Sequence, residues 1–206
     1  IRFKLYHRHS PLPLSDVLPM LENMGLRVID EVPHRITPRD VDDEVWLHDF
    51  GLVTRSGAAV DVEAVRELFE VAFARIWSGA MQNDGFNKLV LGVGLSWRQV
   101  VILRAYCKFL LQAAIPYSQA YMEETLARNP AVTRMIIDLF ENLFDPAAQD
   151  GGAKSRCARL GQRIEKALEA VEVLDEDRIL RRFANAVEST LRTNFYQRTS
   201  DSAPKS

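Results

Sequence analysis

Hydrophobic and polar positions change their period along this chain. At the start, Ile1, Phe3 and Leu5 alternate with Arg2, Lys4 and Tyr6, the two-residue repeat of a strand with one buried face. Pro11 and Pro13 break that run, and Ser15 is placed to cap a helix carrying Val17, Leu18, Leu21 and Met24. Gly25 falls where a left-handed residue ends such a helix, and Pro19 lies one turn inside it. Leu26–Ile36 reads as a second strand, Asp42–Glu44 as a polar turn, and Val45 to about Val53 as a third strand. In that third strand Val45, Leu47 and Asp49 face opposite to Trp46, His48 and Phe50. Strand, helix, strand, strand is the opening of a βαββαβ unit.

From Asp61 onward the repeat is helical. Asp61 caps a helix whose apolar face is Val65, Leu68, Phe69, Ala72, Phe73 and Ile76, with Gly79 after it. If this is the second helix of the unit, Lys88–Val93 is the candidate for a fourth strand. Asp84 as a cap, and the shared face of Phe86, Leu89, Val90 and Val93, favour a short helix there instead. Ser96 and Gln99 have the spacing of a capping box, and they open the most apolar helix of the chain, Ser96–Gln112. Its polar positions Arg104, Lys108 and Gln112 form one thin stripe, which predicts burial among other helices, with Leu103 and Phe109 in the core. Trp97, directly after Gly92-Val-Gly94, is expected to anchor the junction between the α/β and helical parts. Further helices are expected from Ser118 to Asn129, over Ala131–Phe144, at about Ser155–Val173, and from a cap at Asp175 through Gln197. The last carries Ile179, Leu180, Phe183, Val187 and Leu191 as its buried stripe, and a disordered tail follows from Thr199.

Composition narrows the function classes. The 206 residues carry 26 basic and 28 acidic side chains, a net charge of −2, which gives no electrostatic case for nucleic acid or an anionic membrane. No segment has the length and apolarity of a membrane span. Cys107 and Cys157 lie far apart, outside any metal or redox spacing, and read as reduced cytosolic thiols. The start, IRFKLYHRH, has no signal-peptide core, and a chain opening on Ile and ending in TSDSAPKS reads as a piece of something longer.

Motifs that suggest chemistry are weak. Gly92-Val-Gly94 lacks the third glycine of a dinucleotide loop, since Trp97 stands there. His7-x-His9 offers two imidazoles with no third ligand, and His48-Asp49 offers a base with no nucleophile. Asp175-Glu176-Asp177 suits a helix start, and Arg178, Arg181 and Arg182 make a local basic patch.

Longer stretches carry more information. PLSDVLPMLENMGLRVIDE (13–31), VWLHDFGL (45–52), NDGFNKLVL (83–91), GLSWRQVVILRAYCKFL (94–110), SQAYMEETL (118–126), DEDRILRRF (175–183) and TLRTNFYQ (190–197) together resemble the large bacterial NAD-specific glutamate dehydrogenases. The resemblance implies a segment ahead of the catalytic domain, in a region of ACT-like modules followed by helices. It implies a parent reaction in which L-glutamate and NAD give 2-oxoglutarate, ammonia and NADH. The family's glycine-flanked lysine and its nucleotide-binding portion have no counterpart here, so no catalytic, cofactor or metal residue is carried over. ACT modules often take an amino-acid effector at the junction of first strand and first helix, beside a glycine; here that junction is Ser10-Pro-Leu-Pro-Leu-Ser15.

The expected fold is therefore α+β: an ACT-like, ferredoxin-like unit over 1–80, complete or lacking its last strand, then an all-helical domain over 81–198 and a tail over 199–206. The expected function is a non-catalytic regulatory and architectural segment of a cytoplasmic, homo-oligomeric NAD-dependent glutamate dehydrogenase. The alternative is an independent ACT-like module that senses an amino acid. NAD belongs to the parent enzyme, and the expected partners are its other domains and subunits, with an amino-acid effector as candidate ligand and neither nucleic acid nor membrane. The candidate interface is the outer face of the final helix, with Arg178, Arg182, Arg192, Phe195 and Tyr196.

Overall fold

The computed structural model describes residues 1–37, 44–55, 57 and 59–197. Among these are three strands, eight α-helices and two short 3-10 turns, an α+β arrangement. They fall into two compact units, Ile1–Val100 and Val101–Ser206. Among the described residues no helix is long and apolar enough to cross a membrane.

The first unit holds β1 (Arg2–Arg8), α1 (Leu14–Asn23), β2 (Leu26–Ile36), β3 (Val45–Thr54), α2 (Val62–Trp77) and α3 (Lys88–Val93). The strands form one antiparallel sheet in the order β1-β3-β2. The alternation at the start of the chain appears directly: Phe3, Leu5 and His7 are half-buried, while Arg2, Lys4, Tyr6 and Arg8 are exposed. On β3, Trp46, His48 and Phe50 share a face, the last two fully buried. β2 carries a bulge between Val28 and Asp30, which pairs Val28 with Leu52 and Asp30 with Gly51. At that point the Asp30 carboxylate lies over Gly51. A Cβ on Gly51 would lie 2.5 Å from an Asp30 carboxylate oxygen.

The first helix starts two residues earlier than a Ser15 cap would set it. Pro13 occupies the N-cap with φ −63° and no side chain caps the helix, while Ser15 bonds its neighbour Asp16. Gly25 ends the turn at φ +84°, and its missing Cβ lets it approach Lys88 Cβ at a projected 3.3 Å. The expected turn at Asp42–Glu44 has Asp42 and Asp43 outside the described residues, as is the tail from Thr199.

Asp61 caps α2 by accepting from the Ala64 N–H at 3.3 Å. Ala72, Phe73 and Ile76 are buried, but Val65, Leu68 and Phe69 of the same face are only half-buried. Phe3 meets Phe69 and Phe73 edge-on, with centroids 5.2 and 5.1 Å away. Asp84 accepts from the Phe86 N–H and opens a 3-10 turn that leads into α3, so 88–93 is helix. Among the described residues no fourth strand joins the sheet.

The capping box forms as expected: the Ser96 N–H donates to Gln99 Oε1 at 2.9 Å and the Gln99 N–H to Ser96 Oγ at 3.3 Å. It opens α4 (Trp97–Gln112), whose polar stripe is rotated from the expected one. Leu103 is fully buried, but Arg104 is only 5% exposed and Phe109 is 55% exposed. Ala105, Lys108, Phe109 and Gln112, spaced by three and four, make the exposed face. Phe109 is thus a surface residue, and Arg104 takes the inner position the pattern gave to an apolar one. Trp97 is half-buried, with the Arg75 guanidinium 5.0 Å over its ring.

The second unit continues with α5 (Gln119–Arg128), α6 (Pro130–Phe144), α7 (Ala153–Leu168) and α8 (Leu174–Glu188). Ser118 caps α5 through the Tyr121 N–H at 3.2 Å, and Pro130 occupies the first turn of α6. Met135, Ile136, Leu139 and Phe140 of α6 are buried, with Ile179, Leu180, Phe183 and Val187 of α8. Two expectations about α8 fail. Val173, not Asp175, is its N-cap, and the helix ends at Glu188. Leu191 therefore lies past the end of the buried stripe, 93% exposed.

Candidate functional site

The turn from β1 into α1 is built from histidines. His9 takes φ +71° and donates its N–H to Glu44 O at 2.8 Å. His7 Nδ1 lies 2.8 Å from Ser10 O, which can only accept, so that nitrogen donates. Beyond it, the Leu12 N–H donates to His48 Nε2 at 3.0 Å. An accepting Nε2 puts the ring proton on Nδ1, which donates to Glu31 at 2.7 Å. His48 is 2% exposed and its ring stacks on Phe50. One central side chain thus ties β3, β2 and the β1–α1 turn together.

Glu31 was not singled out in the sequence, and the bulge explains why. An unbroken two-residue period from Val28 would put Asp30 beside Phe50. The one extra residue pairs Glu31 with Phe50 instead, and sends Asp30 to the other face with Gly51. There Arg2 bridges Asp30 at 2.8 Å and Asp49 at 3.0 Å. That guanidinium holds the Asp49 carboxyl below its usual range. His48 and Asp49 therefore point to opposite faces with separate partners. Among the described residues no three His, Cys, Asp or Glu side chains group as metal ligands.

A cleft of about 480 Å³ lies beside the first residues of β1, lined by Ile1, Phe3, Val62, Val65 and Phe69 together with the charged Lys4, Glu63, Arg66 and Glu70. The hydrogen-bond phase of the sheet fixes what the outer edge of β1 presents. Ile1 and Leu52 exchange both backbone bonds, at 3.0 and 2.9 Å, and His9 bonds Glu44 at the far end. The odd residues of β1 therefore face β3, and the N–H groups of Arg2, Lys4, Tyr6 and Arg8 point outward.

The predicted interface residues separate into two groups. Arg178 pairs with Asp175 at 3.5 Å, Arg182 is exposed on α8, and Arg192 is exposed beyond the helix end. Phe195 and Tyr196 are half-buried and lie against Phe140, with centroids 5.6 and 6.4 Å away. Arg181 bonds Asp177 at 2.9 Å and also reaches Glu165 of α7. Glu176, 6% exposed, accepts from Arg128 at 3.0 Å and Asn129 at 2.9 Å, which fastens the α5–α6 corner to the first turn of α8. Tyr117 OH donates to Asp175 at 2.8 Å beside it, and that carboxylate raises the phenol above its ordinary range.

Three family models match the chain: the glutamate dehydrogenase ACT3 domain over 1–65, glutamate dehydrogenase helical motif 3 over 81–146, and the bacterial NAD-glutamate dehydrogenase catalytic domain over 163–206. The sequence is 44% identical over 202 residues to the NAD-specific glutamate dehydrogenase of Halomonas elongata, covering 98% of this chain. It is 43% identical over 198 residues to that of Pseudomonas aeruginosa, covering 94%, and 42% identical over 189 residues to that of Mycobacterium tuberculosis, covering 89%. The chain spans about 12% of the length of each of these relatives. The third match carries the chain into sequence that the catalytic-domain model covers, where the sequence alone had put all of it ahead of that domain.

Proposed function

We propose that this chain, which belongs to the bacterial NAD-specific glutamate dehydrogenase family, is a non-catalytic regulatory and architectural segment of such an enzyme. The parent reaction would be oxidation of L-glutamate by NAD to 2-oxoglutarate and ammonia, in a cytoplasmic homo-oligomer. Residues 1–80 would be an ACT-like unit and 81–198 a helical domain. The sheet order β1-β3-β2, with one helix between β1 and β2 and another after β3, supports a ferredoxin-like unit without its last strand. The chain contains no G-x-G-x-x-G stretch and no lysine flanked by glycines, so NAD and the chemical step belong elsewhere in the parent.

The observation that carries the architectural reading over amino-acid sensing is the bond from the Leu12 N–H to His48 Nε2. A free amino acid bound at the β1–α1 junction would need backbone donors for its carboxylate. Leu12, a donor of that junction, is already taken from within. The exposed arginines of the last helix and its extension, Arg178, Arg182 and Arg192, are the proposed docking residues toward neighbouring domains or subunits, with Phe195 and Tyr196 anchoring that stretch on Phe140.

The test has two arms. The purified chain with glutamate and NAD should give no NADH above a heat-killed control, and calorimetric titration with the free amino acids should give no saturable heat. NADH production would overturn the non-catalytic assignment, and saturable binding of an amino acid would move the function to effector sensing.

A further inference from the structure

We propose that the outer edge of β1, with the cleft beside it, receives an extended segment of the parent polypeptide from outside residues 1–206, with acidic and apolar residues alternating. The proposal rests on the assignment of this chain to a larger enzyme, of which it spans about 12%.

Three observations converge on this edge. First, the backbone groups of Arg2, Lys4 and Tyr6 point away from β3, and among the described residues no strand pairs with them. Such an edge is a template for strand addition. Second, the cleft has largely apolar walls, and the side chains around it are underpacked. Ile1 is 46% and Val62 41% exposed, and Phe3, Val65 and Phe69 are half-buried, whereas Ala72, Phe73 and Ile76 further along α2 are buried. One more strand would lie under the first half of α2 and cover these residues with its own inward side chains.

Third, the charge of the edge selects the occupant. The residues of β1 on the open face of the sheet are Arg2, Lys4, Tyr6 and Arg8. Arg2 is engaged by Asp30 and Asp49, Lys4 lies opposite Asp49 and feels its charge without a close ion pair, and Arg8 is exposed at the far end. A second copy of β1 is disfavoured by its own charges. Any antiparallel register that engages three or more of these outward residues sets Lys4 against Lys4, Arg2 against Arg8, or Lys4 against Arg8. Like charges directly opposite one another destabilise a strand pair. An incoming strand with carboxylates at those positions turns the repulsion into cross-strand pairs, and its alternate apolar residues enter the cleft.

The experiment compares amide hydrogen exchange at Lys4 and Tyr6 in this chain and in the full-length enzyme, and adds a probe peptide to the chain. The probe is a capped peptide of about nine residues, a strand's length, alternating glutamate and valine, and the control replaces glutamate by lysine. Both amides should exchange at least about tenfold more slowly in the full-length enzyme than in the chain. The glutamate peptide should protect them in the chain, the lysine peptide should not, and Lys4→Glu with Arg8→Glu should reverse that preference. Equal exchange in the two proteins would overturn the proposal, as would equal protection by both peptides. Protection that rises with chain concentration alone would give the edge to a second copy and also overturn it. None of these results touches the non-catalytic assignment, which falls only if the chain itself reduces NAD.

Discussion

Replacing His48 by Phe separates the two jobs of that side chain. Phenylalanine keeps a ring of similar size against Phe50, so no large cavity opens, but it offers no acceptor to Leu12 and no donor to Glu31. The Leu12 N–H bond is buried, and an orphaned buried donor costs about 1–3 kcal/mol. Glu31 keeps some access to water, so losing its bond from His48 adds about 1 kcal/mol. Together these come to roughly 2–4 kcal/mol. For a unit of this size ~1 kcal/mol moves the midpoint by about 4–8 °C, so the first unit should melt roughly 8–30 °C lower. Differential scanning calorimetry, with near-ultraviolet circular dichroism to follow the aromatic cluster, reads the shift. Glu31→Gln is the control: its amide oxygen still accepts from Nδ1, so it should cost about 1 kcal/mol or less. A midpoint within about 3 °C of the parent for His48→Phe, a shift of under ~1 kcal/mol, would refute the reasoning, as would Glu31→Gln costing as much.

Leu103→Ala should cost roughly 2–5 kcal/mol, whereas Phe109→Ala should stay within about 0.5 kcal/mol; urea unfolding of the two variants distinguishes them, and similar losses would mean that Phe109 is covered. Asp150 accepts from the Gly152 N–H and from Arg156, which hold its carboxyl below the ordinary range. The stability it contributes is complete above the unfolded value of about 4 and is lost as pH falls through the lower folded value. The melting difference between the parent and Asp150→Asn should therefore be constant at neutral pH and vanish in acid; a difference that persists at low pH would exclude this origin. In the full-length enzyme, Arg182→Glu should weaken assembly or turnover while the isolated chain melts as before, since Arg182 is exposed and its removal uncovers no core. Unchanged assembly and turnover would leave it a solvated residue.

The period of the apolar residues was a good guide wherever one face of an element is buried and the other wet. β1, α2 and α6 follow from it closely. Short polar caps at Asp61, Asp84, Ser96 and Ser118 were equally legible, because each needs only residues within one turn. The pattern misled where tertiary context decides. α4 has so many apolar positions that its phase is undetermined: Arg104 of the expected polar stripe is buried, and Phe109, one residue beside that stripe, is exposed. At α8 the apolar spacing continues to Leu191 after the backbone has left the helix. The His48–Glu31 contact was out of reach because a bulge, invisible in composition, decides which of two adjacent acids faces inward. The arginines of the candidate interface were legible as exposed charges, but the fold of Phe195 and Tyr196 onto Phe140 depends on a contact across more than fifty residues.

The bond from Glu176 to the α5–α6 corner bears on how this polypeptide can be divided. Arg128 and Asn129 lie in the stretch that matches helical motif 3, and Glu176 lies in the stretch that matches the catalytic domain. Phe140 meets Phe195, and Tyr106 OH meets Thr190 Oγ1 at 2.8 Å, across the same sequence boundary. The border between the helical-motif and catalytic-domain matches therefore runs through the interior of one compact unit. A polypeptide severed between 146 and 163 would leave Phe140 bare on one piece and Phe183 and Glu176 bare on the other. Recombining segments among relatives at that border would demand compatible partners for α6 and α8 at once, so the two stretches are expected to vary in concert.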